Sequence, residues 1–501
     1  MGRTKSRKLI IIGIDSAPLW LLKKFSAEHS RKDGFSKVFG FGKKGVMDLE
    51  STLPPMTGAA WPSFYTGLQP SRHGSMDFFV LDRHYTKQLV YFDNSKGAFW
   101  DVLGRRGFTS FIITPPMAVS PSSEKNVHMM SGWPLAPRFN SKKIEKYAKE
   151  NSFAGEPEIE KELKEGRVTL EEASAQYTAS ARARAKMTME IAKREDFDLM
   201  FSCFTETDRM QHYSLNNQRW EKYVMPIYSV ISDVIRELYE HASGNYDDFA
   251  IMVVSDHGAQ PIHSKFLINS WLIREGYANL KKSVEEQYNS KKNGPDARYA
   301  IRELLMKSRL RKVYDKMPRK MHNAAYKVAG SLLSGASAGS YTRIHDFDFD
   351  MGRTKAFASV SNGPVSMIWI NDPRFDAPLV ARSSKEKIKS EIKDRLMKIN
   401  SNGKRVIASV IDGEDYYGKN PAFIAPDMLI EAKSGYTIDV FNYSSSSIYM
   451  KPEISRSGDH QRHGIFAVKS SSNGAKWPAG GAWIGDINGY ILRFFGSGRS
   501  K

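Results

Sequence analysis

Cysteine is nearly absent from this chain: 501 residues contain one, Cys203. A single thiol excludes an intramolecular disulfide and any zinc site built on cysteines. It also suits a reducing compartment. No run of about 18 apolar residues occurs, so no membrane-spanning helix is expected. No fixed internal repeat is present either. Acidic residues are in short supply, with 55 Asp and Glu against 74 Lys and Arg and a net charge of +19. That excess points to anionic partners (phosphates, nucleic acid or an acidic membrane surface) without choosing among them. Hydrophobic residues at 41% and charged residues at 26% are the balance of a globular protein, not of a disordered or fibrous one.

The first residues, MGRTKSRKLIIIGIDSAPLW (1–20), superficially resemble a signal peptide. The apolar core is only LIIIGI, however, and Asp15 follows at once. The segment is read as a buried strand ending at a polar residue, and a cytoplasmic location is expected, with peripheral membrane association also compatible.

Short apolar runs bounded by polar or turn residues mark further strands: 108–114, 198–204, 249–255, 365–370 and 427–432. Helical patterns lie between several of them, at 169–195, 221–242 and 385–399. Thr169 and Glu172 have capping-box spacing, and Ile388, Ile392 and Leu396 recur every four residues. Continuous apolar strands alternating with amphipathic helices predict an α/β fold, a three-layer α/β/α sandwich around a mostly parallel sheet. Two regions read as insertions. Residues 115–165 are rich in Pro, Ser and charge. Residues 281–345 are basic and end in SLLSGASAGS; Lys281 to Lys327 carry fourteen Lys and Arg against five Asp and Glu, a net of +9. The division expected is a catalytic domain of 1–280 and 346–501 with a helical cap insertion at 281–345, whose basic face would suit an acidic surface.

Ligands in α/β sheets bind outside the carboxyl ends of the strands, and five segments offer candidate polar residues for that position. Asp15 ends the first strand, where it either caps the next helix or holds a metal. Thr57, in STLPPMTGAAWPSFYTG (51–67), sits where a helix begins. Its hydroxyl is either an N-cap or a nucleophile, the latter only if a cation lowers its pKa. Asp208 and His212 are four residues apart, on one face of a helical turn, as a surface ion pair or as shared metal ligands. Asp256 and His257 end an apolar strand, and adjacent ligands there need irregular backbone, which Gly258 permits. His460 and His463 lie in RSGDHQRHGIF before another apolar run. Carboxylates and imidazoles without thiolates suit zinc, manganese or iron. So many positions exceed one ion and fit two divalent metal ions about 4 Å apart, which clamp the attacking and leaving oxygens of a phosphoryl group.

The ordered segments IGIDSA, STLPPMTGAAWPSFYTGLQPSRHGSMDFF, ETDRMQH, SDHG and GDHQRHGIF resemble the alkaline phosphatase superfamily, in particular its type I phosphodiesterase/nucleotide pyrophosphatase branch. So does SDHGAQPIHSKFLINSWLIREGY (255–277). The resemblance spans about 8–275 and 350–495. It implies one ion on Asp15, Thr57, Asp256 and His257 and a second on Asp208, His212 and His460, zinc being the usual metal and manganese an alternative. It further implies that Thr57 is the nucleophile, forming a phospho-threonine that activated water hydrolyses, on a small anionic phosphoester substrate. His460 is chosen over His463 because the pattern places the ligand after Gly-Asp and four residues before Gly-Ile-Phe. PPMTG departs from the Lys-Thr-Phe-Pro-Asn pattern of well-studied nucleotide pyrophosphatases, and no motif places the asparagine that helps them hold phosphate.

His73 and Asp77 also match the resemblance and are read as structural. His263 is a loop histidine or a substrate contact, and Cys203 is a core residue. His128 and His345 have no partner at ligand spacing. Rival readings are a phosphomonoesterase or phosphotransferase of the same superfamily, and a non-catalytic nucleic-acid binder. A sulfatase would need Cys or Ser followed by Pro and Arg, where this chain has TGAAW. No nucleic-acid-reading module accompanies the tyrosines Tyr299, Tyr314 and Tyr326 of the basic run.

Overall fold

A strand that is apolar along its whole length needs cover on both faces, and Lys8–Ile14, every residue of it buried, lies inside an eight-stranded sheet. The computed structural model describes residues 7–42, 45–92, 97–165, 167–285, 342–343, 348–360, 362–452, 456–471 and 476–496. The elements that frame the site run β1 (Lys8–Ile14), α1 (Leu19–Glu28), β2 (Met47–Glu50), α2 (Thr57–Thr66), α3 (Phe99–Arg105), β3 (Ser110–Ile113), β4 (Val127–Ser131) and β5 (Arg138–Phe139). They continue with α4 (Leu170–Arg194), β6 (Leu199–Phe204), α5 (Glu206–Ser214), α6 (Trp220–Asn245), β7 (Phe249–Val254) and β8 (Gly258–Pro261). The last third contributes β9 (Ala356–Ser359), β10 (Val365–Ile370), α7 (Lys385–Leu396), β11 (Ile407–Asp412), β12 (Met428–Ala432), β13 (Gly458–Gln461), β14 (His463–Ser470) and α8 (Asp486–Phe495).

The main sheet has the order β2-β14-β7-β1-β6-β3-β4-β5. The five strands from β7 to β4 are parallel, and β14, β2 and β5 close the edges antiparallel. Ile11 sits beside Phe201 on one side and Met252 on the other. Alternation along β1 sends Ile10, Ile12 and Ile14 into one core with α1, α4 and α6, and Leu9 and Ile11 into another with α2, α3 and α8. Those two cores on opposite faces make the α/β/α sandwich expected. The capping box that starts α4 is present: the Thr169 hydroxyl accepts from Glu172 N at 3.0 Å and the Glu172 carboxylate from Thr169 N at 2.8 Å.

The structure differs from the sequence-based expectation in two places. Strands 365–370 and 427–432 do not join the main sheet. They form, with β9 and β11, a separate antiparallel sheet of order β9-β10-β12-β11 with its own core, against which α7 packs Ile392 and Leu396. A strand buried on both faces shows the same unbroken apolar run whatever its pairing, so the pattern could not separate the two sheets. Residues 115–165 are not an insertion beside the sheet, because β4 within them pairs parallel with β3. The Pro- and Ser-rich composition belongs to the loops around that strand. The basic segment 281–345 lies almost wholly outside the described residues, and so does His345. Among the described residues no helix is long and apolar enough to cross a membrane.

Candidate metal centre and active site

The carboxyl ends of β1, β6 and β7 meet at one place, and the candidate residues follow them. Asp15 comes directly after β1. It does not cap the next helix, whose N-cap is Pro18 without a side-chain bond. Its carboxylate instead accepts from Trp61 Nε1 at 3.3 Å and from the Thr57 hydroxyl at 3.4 Å, and lies 3.7 Å from His257 Nε2. The turn is held by Ser16, whose φ is +64° and whose N–H donates to Asp256 Oδ1 at 3.1 Å. Thr57 is the first residue of α2 and not its cap; Met56 has the extended backbone of the N-cap position. The Thr57 hydroxyl is therefore free of capping and sits 3.3 Å from His257 Nε2.

Asp208 and His212 lie on α5, which starts two residues after β6 ends, and their four-residue spacing brings Asp208 Oδ1 within 3.3 Å of His212 Nε2. Asp256 and His257 occupy the bend between β7 and β8, with Asp256 Oδ2 3.1 Å from His257 Nε2. Gly258 serves this bend by its lack of a side chain, since a Cβ there would stand 2.3 Å from the His463 carbonyl oxygen. That crowding is the cost of pairing β8 with β13, which sets Ala259 opposite His460 and delivers the imidazole. His460 Nε2 then lies 3.3 Å from Asp208 Oδ1 and 3.0 Å from His212 Nε2, whereas His463 is exposed on β14 opposite Glu50.

Two groups of three result, Asp15–Asp256–His257 and Asp208–His212–His460, each offering ligand atoms within 4.8 Å of one another. The rings of His257 and His460 stack at 3.9 Å between centroids, so the groups adjoin. All three imidazoles turn Nδ1 to a backbone carbonyl: His212 to Gly458 at 3.0 Å, His257 to Gly258 at 3.1 Å and His460 to Pro55 at 2.9 Å. Nδ1 donates in each bond, so Nε2 of each ring faces inward and offers its lone pair whenever that nitrogen is unprotonated. Two Nε2 atoms 3.0 Å apart need either a proton shared between them or a metal ion bound by both. Asp208 Oδ1 and Asp256 Oδ2 are buried without a hydrogen bond. Inward lone pairs, unsatisfied carboxylate oxygens and no thiolate are a donor set that fits divalent metals.

Charge is poorly balanced without such ions. Burial, together with Asp256 and Asp208, raises the Asp15 pKa well above the carboxylate range. Burial would raise Asp208 as well, but His212, His460 and Arg209 hold it well below. Burial is the main cause that lowers His212 to about 4. His257 is also buried, yet Asp256, then Asp15 and Asp208, raise it to about 10. Arg209 does not neutralise these groups directly, being held by Glu156 and Glu160 at 2.7 Å each.

A cavity of about 670 Å³ opens over Thr57, Asp208, His212 and His460. Asp77 lines it. His73 does not; it is buried against the Ser63 hydroxyl at 2.9 Å. His263 is exposed against Gly435, outside the cavity, and Cys203 is buried within β6. His128 faces the Ser141 hydroxyl at 3.0 Å, far from either group in the chain's sheet order. Asn362 and Arg456 are among the cavity residues that the sequence did not single out. The only signal for Arg456 was its place four residues before His460. Asn362 had none.

The model of the family described as type I phosphodiesterase / nucleotide pyrophosphatase matches residues 9–465. Among solved structures, phosphonoacetate hydrolase from Sinorhizobium meliloti 1021 with phosphonoformate is similar at a TM-score of 0.55 and 13% identity, covering 98% of this chain and 96% of that one. Its complex with phosphonoacetate gives 0.53 at 12%, with the same coverage of 98% and 96%. Human ectonucleotide pyrophosphatase / phosphodiesterase 5 gives 0.44 at 13%, over 97% and 94% of the two chains. The two higher scores show a shared fold. No curated protein matches the chain.

Proposed function

Because the chain belongs to the type I phosphodiesterase / nucleotide pyrophosphatase family of phosphoester hydrolases, we propose that it cleaves a phosphoric ester with Thr57 as nucleophile beside two divalent cations. The observation that carries this reading is the convergence of three buried carboxylates and three inward-facing imidazoles around one uncapped hydroxyl. Asp15, Asp256, His257 and Thr57 would hold one ion, and Asp208, His212 and His460 the other. Three imidazoles, three carboxylates and no thiolate favour zinc, with manganese the alternative. When bound, such ions lower the pKa of a coordinated hydroxyl and draw charge from phosphoryl oxygens.

The chain's own groups do the rest. The start of α2 gives Thr57 a fixed position at a helix N-terminus, where the first N–H groups have no partner inside the helix. Those donors and the positive end of the helix dipole suit the phosphoryl oxygens. Attack by Thr57 Oγ1 on phosphorus would form the phospho-threonine and release the alcohol. Water entering from the cavity would then cleave the phosphorus–Oγ1 bond and return the hydroxyl. His212, His257 and His460 stay in the Nδ1-protonated form through their carbonyl bonds, so their Nε2 atoms remain ligands.

Thr57→Ala tests the reading. Hydrolysis of p-nitrophenyl phosphate and of bis-p-nitrophenyl phosphate should fall by about a thousandfold or more. Zinc content should stay near about two ions per chain. Normal turnover by this variant would remove Thr57 from the chemistry.

A further inference from the structure

Beyond the groups that hold metal, the cavity wall carries cations whose partners differ. Lys164 and Arg209 are engaged by Glu160, at 3.4 Å and 2.7 Å. Arg456, partly buried in the same wall, makes no ion pair or hydrogen bond among the described residues. It stands four residues before His460, near enough to His212 for its charge to act on that imidazole. Its charge also acts on the buried Asp459 carboxylate, but with no direct ion pair among the described residues its planar donors remain placed to take anionic oxygens two at a time.

A second donor comes from the loop between β9 and β10. Val360 there has φ +78°, a conformation that strains a β-branched residue. Gly363 in this loop lies beside the residue before the nucleophile, since a Cβ on it would stand 3.9 Å from Met56 Sδ. Asn362 lines the cavity, and its Oδ1 accepts from Val440 N at 2.7 Å. That bond fixes the carboxamide, and its Nδ2 makes no hydrogen bond among the described residues. The Val440 bond thus holds an N–H donor at the wall of the cavity that Thr57 also lines.

We propose that Arg456 and Asn362 form a seat for a third terminal phosphoryl oxygen, so that the site selects phosphomonoester dianions over singly charged diesters. A diester has two terminal oxygens, which the ions and the N-terminus of α2 can satisfy. A monoester has a third, carrying a second negative charge, and it needs a further cationic donor. The seat rests on the reading of Thr57 and the two cations as a phosphoryl-transfer site.

Two measurements separate the two ideas. In turnover by the zinc-loaded protein, Arg456→Ala should reduce the ratio of kcat/KM for p-nitrophenyl phosphate over bis-p-nitrophenyl phosphate by at least about tenfold. Asn362→Asp keeps the Val440 bond but presents an oxygen in place of the donor, and should lower the same ratio. Elemental analysis should find zinc unchanged in both variants. In calorimetric binding, inorganic phosphate should lose affinity in Arg456→Ala by about tenfold more than dimethyl phosphate does. Equal losses on both members of each pair, or none, would overturn the seat. A wild-type protein that binds phosphate with this selectivity but hydrolyses neither ester would overturn the catalytic reading and leave the seat standing.

Discussion

Buried carboxylates occur in two regions of this chain under opposite conditions. Around the second sheet, Asp372 and Asp427 are both engaged by Arg374 and Lys385, with Asp372 2.8 Å and 3.2 Å from their nitrogens, and Asp439 meets Lys265 at 3.3 Å. At the ends of the main-sheet strands, the ion-pair partners of Asp15, Asp208 and Asp256 among the described residues are all imidazoles. Burial would raise both Asp15 and Asp372. Arg374 and Lys385 bring Asp372 below the ordinary carboxylate value, while Asp15 goes well above it. The second region spends its charges on holding itself together. The strand-end region sets three buried carboxylates among imidazoles, with no Lys or Arg ion pair to them among the described residues, an arrangement that costs stability unless a cation completes it.

The sharpest way to break this contrast is to count metal. Asp208→Ala should reduce bound zinc from about two ions per chain to about one; an unchanged count would show that the strand-end carboxylates hold none. Next in size is the effect of zinc on stability. At roughly a hundredfold excess over Kd, zinc should stabilise the wild-type chain against urea by about 3 kcal/mol. Identical unfolding with and without zinc would place the ions elsewhere. In the paired region, Arg374→Met should destabilise by about 1–3 kcal/mol without changing zinc content. A loss of zinc in that variant would mean that the two regions are not independent.

The smallest effect is on acid stability. Asp372 has a depressed folded pKa, so its contribution is present above the unfolded value of about 3.9 and is lost as pH falls through the folded value. Asp372→Asn removes that titration and should flatten the stability curve below about pH 4. An acid limb of unchanged slope would show that Asp372 does not hold the region.

The legible and illegible parts of this molecule divide by range. The run Lys8–Ile14 announced a buried strand because it is apolar without interruption, and Thr169 with Glu172 announced a helix start because a capping box is local. Asp208 and His212 share a helix face by spacing alone. Asp15 and Thr57 stayed ambiguous between cap and site, since each cap reading is also local. They are resolved by position: Pro18 and Met56 take the cap positions, leaving both side chains to face His257. The assignment of 365–370 and 427–432 to a second sheet was out of reach, because pairing partners lie in residues far along the chain. Asn362 was equally out of reach, being one asparagine among many until the loop beside Met56 placed it.

What the sequence determined by itself is therefore the kind of chemistry: hydroxyl, carboxylate and imidazole donors without thiolates, set at the ends of apolar strands in an order that resembles one family. Residue types and local spacing carry that information, because side-chain chemistry and helical or strand periodicity need no distant partner. What only the tertiary structure decided is which of these groups share a space. The β8–β13 pairing brings in His460 and leaves His463 outside, and the parallel register of β1, β6 and β7 aligns Asp15 with residues some two hundred positions away. Such convergence depends on sheet register and on close backbone approach, as at Gly258, and neither is written in any single stretch of chain.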